Sequence, residues 1–186
     1  MLIKNERLLP CSQAQAWAAL NDEAVLQACI PGCESLQRLA PEQLEAVVAA
    51  ALGPVRARFK AKLGLQDIRP PQGYSLVFEG QAGAAGFSKG TARIELLGEG
   101  ENQTLLRYEA QVQIGGKLAQ IGSRVIEAAA QKIIGEFFAR LEAQLAAAQA
   151  PTEAAAQPAA ASAGWLARLL GWLRALLGRG QGSARA

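Results

Sequence analysis

The stretch Val55-Arg56-Ala57-Arg58-Phe59-Lys60-Ala61-Lys62-Leu63 decides the fold. Apolar and cationic residues alternate through it without a break, and a strict period of two marks a strand with one buried and one solvated face. The same period recurs on either side. Upstream, Leu44, Ala46, Val48, Ala50 and Leu52 share a face; downstream, Tyr74, Leu76 and Phe78 share another. Arg93 and Glu95 point away from Ala92, Ile94 and Leu96, and Leu106, Tyr108, Ala110, Val112 and Ile114 line one side of a last strand. Gly53-Pro54, Pro70-Pro71-Gln72-Gly73, the glycine-rich 80–90 and Gly98 to Gln103 separate these runs as turns. The reading is about six antiparallel strands.

The flanks complete the architecture. Met1 to Leu9 reads as a strand ending at Pro10. Ser12 with Gln15 three residues on is a capping-box signature, predicting a helix over 13–20. Asn21 is the expected cap of a second short helix over 22–28, with Asp22 and Glu23 at the positive end of its dipole, and Pro31-Gly32 ends it. Beyond Gly115-Gly116 the period becomes helical. Leu118, Ile121, Val125, Ala129, Ile133, Phe137, Leu141 and Leu145 mark one face of a helix over about 117–147. Roughly 45 Å long, it crosses an entire sheet. Strand, two small helices, antiparallel strands and a long last helix describe an α+β fold in which a sheet grips a helix.

Composition excludes several functions. The 186 residues contain no histidine, so Ser/His/Asp or Cys/His catalysis, His-ligated zinc and His-bound haem are out of reach. All 16 acidic and 15 of the 19 basic residues precede residue 164, leaving a body almost without net charge. With 5% aromatic residues, it lacks the basic, aromatic-interleaved surface of a nucleic-acid binder. Three cysteines, Cys11, Cys29 and Cys33, suit a reducing compartment and fall short of a closed metal site. Lys4, Glu6 and Arg7 interrupt any signal-peptide core, and no apolar run reaches the ~20 residues of a membrane span. A cytoplasmic location is expected.

The chain divides into a body (1–147), a linker (148–163) and a tail (164–186). Eleven of residues 146–163 are alanine, with Pro151 and Pro158 among them, so the linker offers nothing large to bury. In the tail, Trp165, Leu166, Leu169, Leu170, Trp172, Leu173, Leu176 and Leu177 fall on one arc of about 160° at helical spacing, opposite Arg168 and Arg174. Too short to span a bilayer, this is the pattern of a helix lying in the interface of an anionic membrane. Docking on a protein surface is the alternative.

The runs Gly86-Phe87-Ser88-Lys89-Gly90-Thr91-Ala92-Arg93-Ile94, Gly115-Gly116-Lys117-Leu118-Ala119-Gln120-Ile121-Gly122-Ser123-Arg124 and Cys29-Ile30-Pro31-Gly32-Cys33-Glu34 resemble the CoxG family of carbon monoxide dehydrogenase. The resemblance covers about residues 1–145. It implies the START-like (SRPBCC) helix-grip fold, a curved antiparallel sheet wrapped around a long C-terminal helix and a hydrophobic cavity. It also implies an accessory protein of a molybdenum-containing carbon monoxide dehydrogenase or related hydroxylase, associated with bringing that enzyme to the membrane. Such a protein carries no molybdopterin, flavin or iron–sulfur of its own.

Small inward residues, Ala46, Ala50, Ala57, Ala61, Ala92 and Ala110, argue for a hollow under a curved sheet, against the alternative of a solid core. From the strands its expected wall takes Phe59, Ala61, Tyr74, Leu76, Phe78, Ile94, Tyr108, Ala110 and Val112. From the long helix it takes Ile121, Val125, Ile133 and Phe137, and Phe87, in the glycine-rich connection, is the candidate plug of a flap over the mouth, with an ordinary hairpin connection as the equal alternative. That connection lacks the helix N-terminus a phosphate loop needs. The Arg56, Arg58, Lys60, Lys62 ladder reads as a solvated face, with a docking strip for an acidic partner or lipid headgroups as its alternative. Glu79, Glu95 and Glu109 alternate outward, so no acid–base pair is expected and no catalytic residue is nominated.

The expected function is therefore non-enzymatic. The body carries a lipophile and the tail takes it, with a partner dehydrogenase, to the inner face of the cell membrane. An isoprenoid quinone such as menaquinone or ubiquinone is the lipophile most useful to a redox enzyme without membrane access. The alternatives are a START-like cyclase or hydratase using Tyr74 or Tyr108, and a recruitment scaffold with an empty pocket.

Overall fold

The computed structural model describes residues 1–149. Strand β1 (Leu2–Leu9) leads into helices α1 (Gln13–Asn21) and α2 (Glu23–Cys29). Strands β2 (Cys33–Ala40), β3 (Gln43–Leu52), β4 (Val55–Arg69), β5 (Gly73–Gln81), β6 (Phe87–Gly98) and β7 (Thr104–Gly115) follow, and α3 (Ser123–Gln149) closes the described chain. The six strands expected after the two helices are all present. They join β1 in one antiparallel sheet of order β1-β7-β6-β5-β4-β3-β2. Every neighbouring pair except β1–β7 is a sequential hairpin, which is why local turn signals are enough to predict it. β4 is the longest strand at 15 residues; its pairing with β5 slips between Gln66 and Arg69, with Asp67 at φ 49°. Such a bulge bends a strand and helps a sheet curve around a helix.

The capping box forms as read. Gln15 N–H donates to Ser12 Oγ at 3.3 Å, and the Ser12 N–H donates to Gln15 Oε1 at 3.0 Å. Ser12→Ala is expected to cost about 1 kcal/mol, seen as a lower urea midpoint at unchanged slope. The second cap is Asp22 rather than Asn21. Asp22 Oδ1 accepts from the N–H groups of Ala24 and Val25 at 2.8 and 3.0 Å, while Asn21 closes α1 by donating its amide to the Trp17 carbonyl. A carboxylate is at least as good a cap as an amide, and here it has the closer geometry.

The long helix is shorter than its periodicity predicts. Residues Gly116–Ile121 form 3-10 turns, and Gly122, at φ +96°, stops them before α3 begins. A left-handed residue cannot lie inside an α-helix, so the apolar spacing of Leu118 and Ile121 continues across a break. Two apolar cores result. Leu9, Cys11, Leu20, Leu96, Leu106, Phe138, Leu141 and Leu145 pack where α1, α3 and the strands β1, β6 and β7 meet. Leu36, Leu44 and Ala46 pack beneath Leu26 and Ile30 of the α2 region.

Candidate functional site

Members of both cores line a cavity of about 380 Å³. From the sheet come Leu63 and Leu65 of β4, Tyr74 and Leu76 of β5, Ala92 and Ile94 of β6, and Tyr108 and Ala110 of β7. Helix α3 contributes Ile133, Ile134, Phe137 and Phe138; Leu20, Leu26, Ile30 and Pro31 close the space from the α1–α2 side. The volume lies in the range of small-molecule sites, and its lining is almost wholly apolar. Arg38 and Asn21 are the polar exceptions, along with the two tyrosines.

Seven of the fourteen residues expected around the cavity line it: Tyr74, Leu76, Ile94, Tyr108, Ala110, Ile133 and Phe137. Phe59, Ala61, Phe78, Val112, Ile121, Val125 and Phe87 do not. Alternation says which side of a sheet a residue occupies but not how far along it. Phe59 and Ala61 neighbour Gly80, and the Phe78 ring covers Gly90. Ile121 and Val125 instead approach Gly53 at the β3–β4 turn, leaving Val125 39% exposed. The expected plug, Phe87, opens β6 at 36% exposure and lays its ring over its register partner Gly115. The glycine-rich connection is thus an ordinary hairpin with one 3-10 turn, Gly83–Ala85. The tail residues expected to contact the membrane lie outside the described residues.

Sequence reasoning misses the α1–α2 contribution because the caps of these helices, and not their faces, carry the conspicuous signal. Leu26 and Ile30, four apart, are the signal that could have found it. Arg38 escapes altogether. Its Nε donates to Glu23 Oε1 at 3.0 Å, Nη1 to the Pro41 carbonyl at 2.8 Å and Nη2 to the Asn21 carbonyl at 3.3 Å. Its backbone N–H also donates to Glu23 Oε2 at 3.2 Å.

Tyr74 is 8% exposed and meets Trp17 edge to face at 5.8 Å between ring centres. Burial pushes its phenol up to about 12, against a smaller opposing pull from Arg38, so it remains a neutral hydroxyl at physiological pH. Tyr108 stacks on Phe138 at 5.5 Å, and burial raises its pKa too, with Arg7 opposing. Cys11 and Cys29 are fully buried, and burial pushes their thiols up, which keeps them protonated small hydrophobes. On the outer face the cationic ladder is partly neutralised. Arg58 pairs with Glu34, and Lys62 stands in register between Glu45 and Glu79.

A second groove abuts the cavity. It runs between Ala49, Ala50, Ala51 and Gly53 at the β3–β4 end and Val125, Ala128, Ala129 and Lys132 of α3, and it shares Pro31 and Ile133 with the cavity. Pro31 is followed by Gly32 at φ +73°, whose carbonyl accepts the Ala49 N–H at 2.8 Å. A Cβ at Gly32 would sit 2.1 Å from the Ala49 carbonyl oxygen, so only glycine fits this crossing.

A curved sheet closed over a C-terminal helix, with an apolar hollow inside, defines a helix-grip protein of the START-like class. The family model of the CoxG subunit of carbon monoxide dehydrogenase matches residues 9–146, and the chain belongs to that family. Its members are accessory proteins to carbon monoxide dehydrogenase-type enzymes. Among solved structures, a conserved protein from Geobacillus kaustophilus is 28% identical, with a TM-score of 0.75 over 80% of this chain and 97% of that one. A START superfamily protein from Mycobacterium smegmatis is 16% identical, with a TM-score of 0.61 over 79% and 98% of the two chains. An aromatase/cyclase from Streptomyces sp. R1128 shares the fold at 8% identity, with a TM-score of 0.56 over 78% and 93%. No curated protein matches the chain by sequence. Among the described residues, no helix is long and apolar enough to cross a membrane.

Proposed function

We propose that this protein is a non-enzymatic carrier that holds a lipophilic molecule, an isoprenoid quinone by preference, and couples a molybdenum-containing dehydrogenase to the inner face of the cell membrane. The observation that carries the proposal is the 380 Å³ apolar cavity inside a fold of the CoxG family. A redox enzyme without its own access to membrane quinone needs a protein that presents the quinone ring to it, and an apolar cavity shields such a molecule from water. The tail supports the membrane half of the reading through its Trp/Leu face and its four arginines.

The cavity wall has no pair of carboxylates to act as acid and base, and the chain has no imidazole. This favours carriage over the cyclase reading, in which a tyrosine would have to protonate the substrate. With its phenol pushed up to about 12, Tyr74 is suited to donating a hydrogen bond and is a weak proton donor. The test is solvent extraction of the purified full-length protein followed by mass spectrometry. A near-stoichiometric quinone is expected; consistently empty protein from quinone-rich cells would leave only the scaffold reading.

A further inference from the structure

The cavity has one polar pole. Arg38 and Asn21 line it there, with Arg38 Nη2 donating to the Asn21 carbonyl at 3.3 Å; the Asn21 amide donates to the carbonyl of Trp17, whose ring meets that of Tyr74, and Tyr74 lines the cavity as well. Tyr74 is more than nine-tenths buried, yet its hydroxyl makes no hydrogen bond among the described residues. No fully enclosed side-chain nitrogen or oxygen among the described residues lacks a partner, so this hydroxyl keeps a little open surface, on a residue that lines the cavity. A donor so placed costs free energy unless something inside the cavity accepts from it. The Arg38 guanidinium has five N–H groups, and Glu23, Pro41 and Asn21 engage three. Two guanidinium N–H groups of Arg38, whose side chain is 25% exposed, and the Tyr74 hydroxyl are thus donors without a partner among the described residues, and a carbonyl oxygen is an acceptor that suits them.

The charge of that acceptor follows from Glu23. Both of its carboxylate oxygens face Arg38, one on the side chain and one on the backbone N–H, so the guanidinium charge already has its counter-ion. A second carboxylate brought to this pole would leave one negative charge unpaired in an apolar cavity, which is strongly unfavourable. A neutral carbonyl needs donors without needing net charge. We therefore propose that Tyr74 and Arg38 form a head-group anchor that selects a neutral carbonyl oxygen on an otherwise apolar ligand and rejects fatty carboxylates. This rests on the carrier reading and names the ligand's chemical class from the protein's own donors. Tyr108 does not discriminate in this way, because it is only partly buried and also borders the outer surface.

The test uses delipidated full-length protein titrated calorimetrically with three probes below their aggregation limits: decylubiquinone, palmitate and dodecylbenzene. Wild type is expected to bind decylubiquinone about 10-fold more tightly than either of the others. Tyr74→Phe keeps the ring against Trp17 and should weaken decylubiquinone by about 5- to 10-fold while leaving dodecylbenzene unchanged, the effect of one lost hydrogen bond. In infrared difference spectra, the bound quinone's carbonyl stretch should move back toward its free value in this variant. Glu23→Gln keeps an acceptor for Arg38 but frees its charge, and should raise palmitate affinity about 10-fold. Equal quinone affinity and an unchanged carbonyl stretch in Tyr74→Phe, or a wild-type preference for palmitate, overturns the anchor while bound dodecylbenzene keeps the carrier reading intact. Wild type binding none of the three probes overturns the carrier reading, and the anchor with it.

Discussion

Ala110→Trp is expected to remove ligand from the protein almost completely at a stability cost below the ~1–3 kcal/mol that overpacking exacts in a filled core. Ala110 lies on β7 between its partners Ile3 and Ala92, and all three line the cavity. An indole here enters existing space, where ligand would otherwise sit. The contrast lies two residues along the neighbouring strand. A Cβ at Gly90 would meet the Gln111 carbonyl at 1.9 Å and the Phe78 ring at 2.9 Å. Gly90→Ala, one added carbon, should therefore destabilise the protein more than Ala110→Trp, which adds a whole ring system. Thermal melts of the two variants, with extraction of each, decide this. A severe loss of stability in Ala110→Trp would mean that the interior is solid.

The second large effect is expected from the tail. Removing residues 164–186 takes away no part of the described fold, so the truncated protein should melt like the full chain yet lose flotation with anionic vesicles. Within the full chain the contributions should separate. Trp165→Ala with Trp172→Ala removes apolar area worth ~25 cal/mol per Å² and should weaken binding to neutral and anionic vesicles alike. Arg168→Gln with Arg174→Gln should chiefly abolish the anionic preference and its salt dependence. Continued flotation of the truncated protein would transfer the membrane role to another surface, of which Arg56 and Lys60, uncompensated across their strand pairs, are the first to test.

The order of elements is legible because each depends on local signals: alternation such as Val55 to Leu63, turn residues between hairpins, and the Ser12–Gln15 box. The residues that sequence misplaces depend on something non-local. Phe59, Phe78 and Val112 share the inward pattern with Leu76, Ile94 and Ala110. What separates them is where α1 and α2 lie over the sheet, and no periodicity within one strand encodes that. Arg38 is hidden for a related reason. In sequence it is an arginine in a short polar strand; only the fold brings Glu23, fifteen residues earlier, onto it. Gly122 shows the converse, a single residue whose φ of +96° outweighs an uninterrupted helical spacing on both sides.

Pro31 and Ile133 form the boundary shared by the cavity and the groove beside Ala49–Ala51. The Pro31 half is tied to β3 by the hydrogen bond from Ala49 to Gly32. In the carrier reading, how long a guest stays and how tightly it is held would be set by different parts of the molecule. Affinity would belong to the hollow and its pole, and residence time to the turn that carries Pro31. A surface that pulled the Pro31 turn aside, bilayer or protein, would speed exchange in both directions without altering the equilibrium constant.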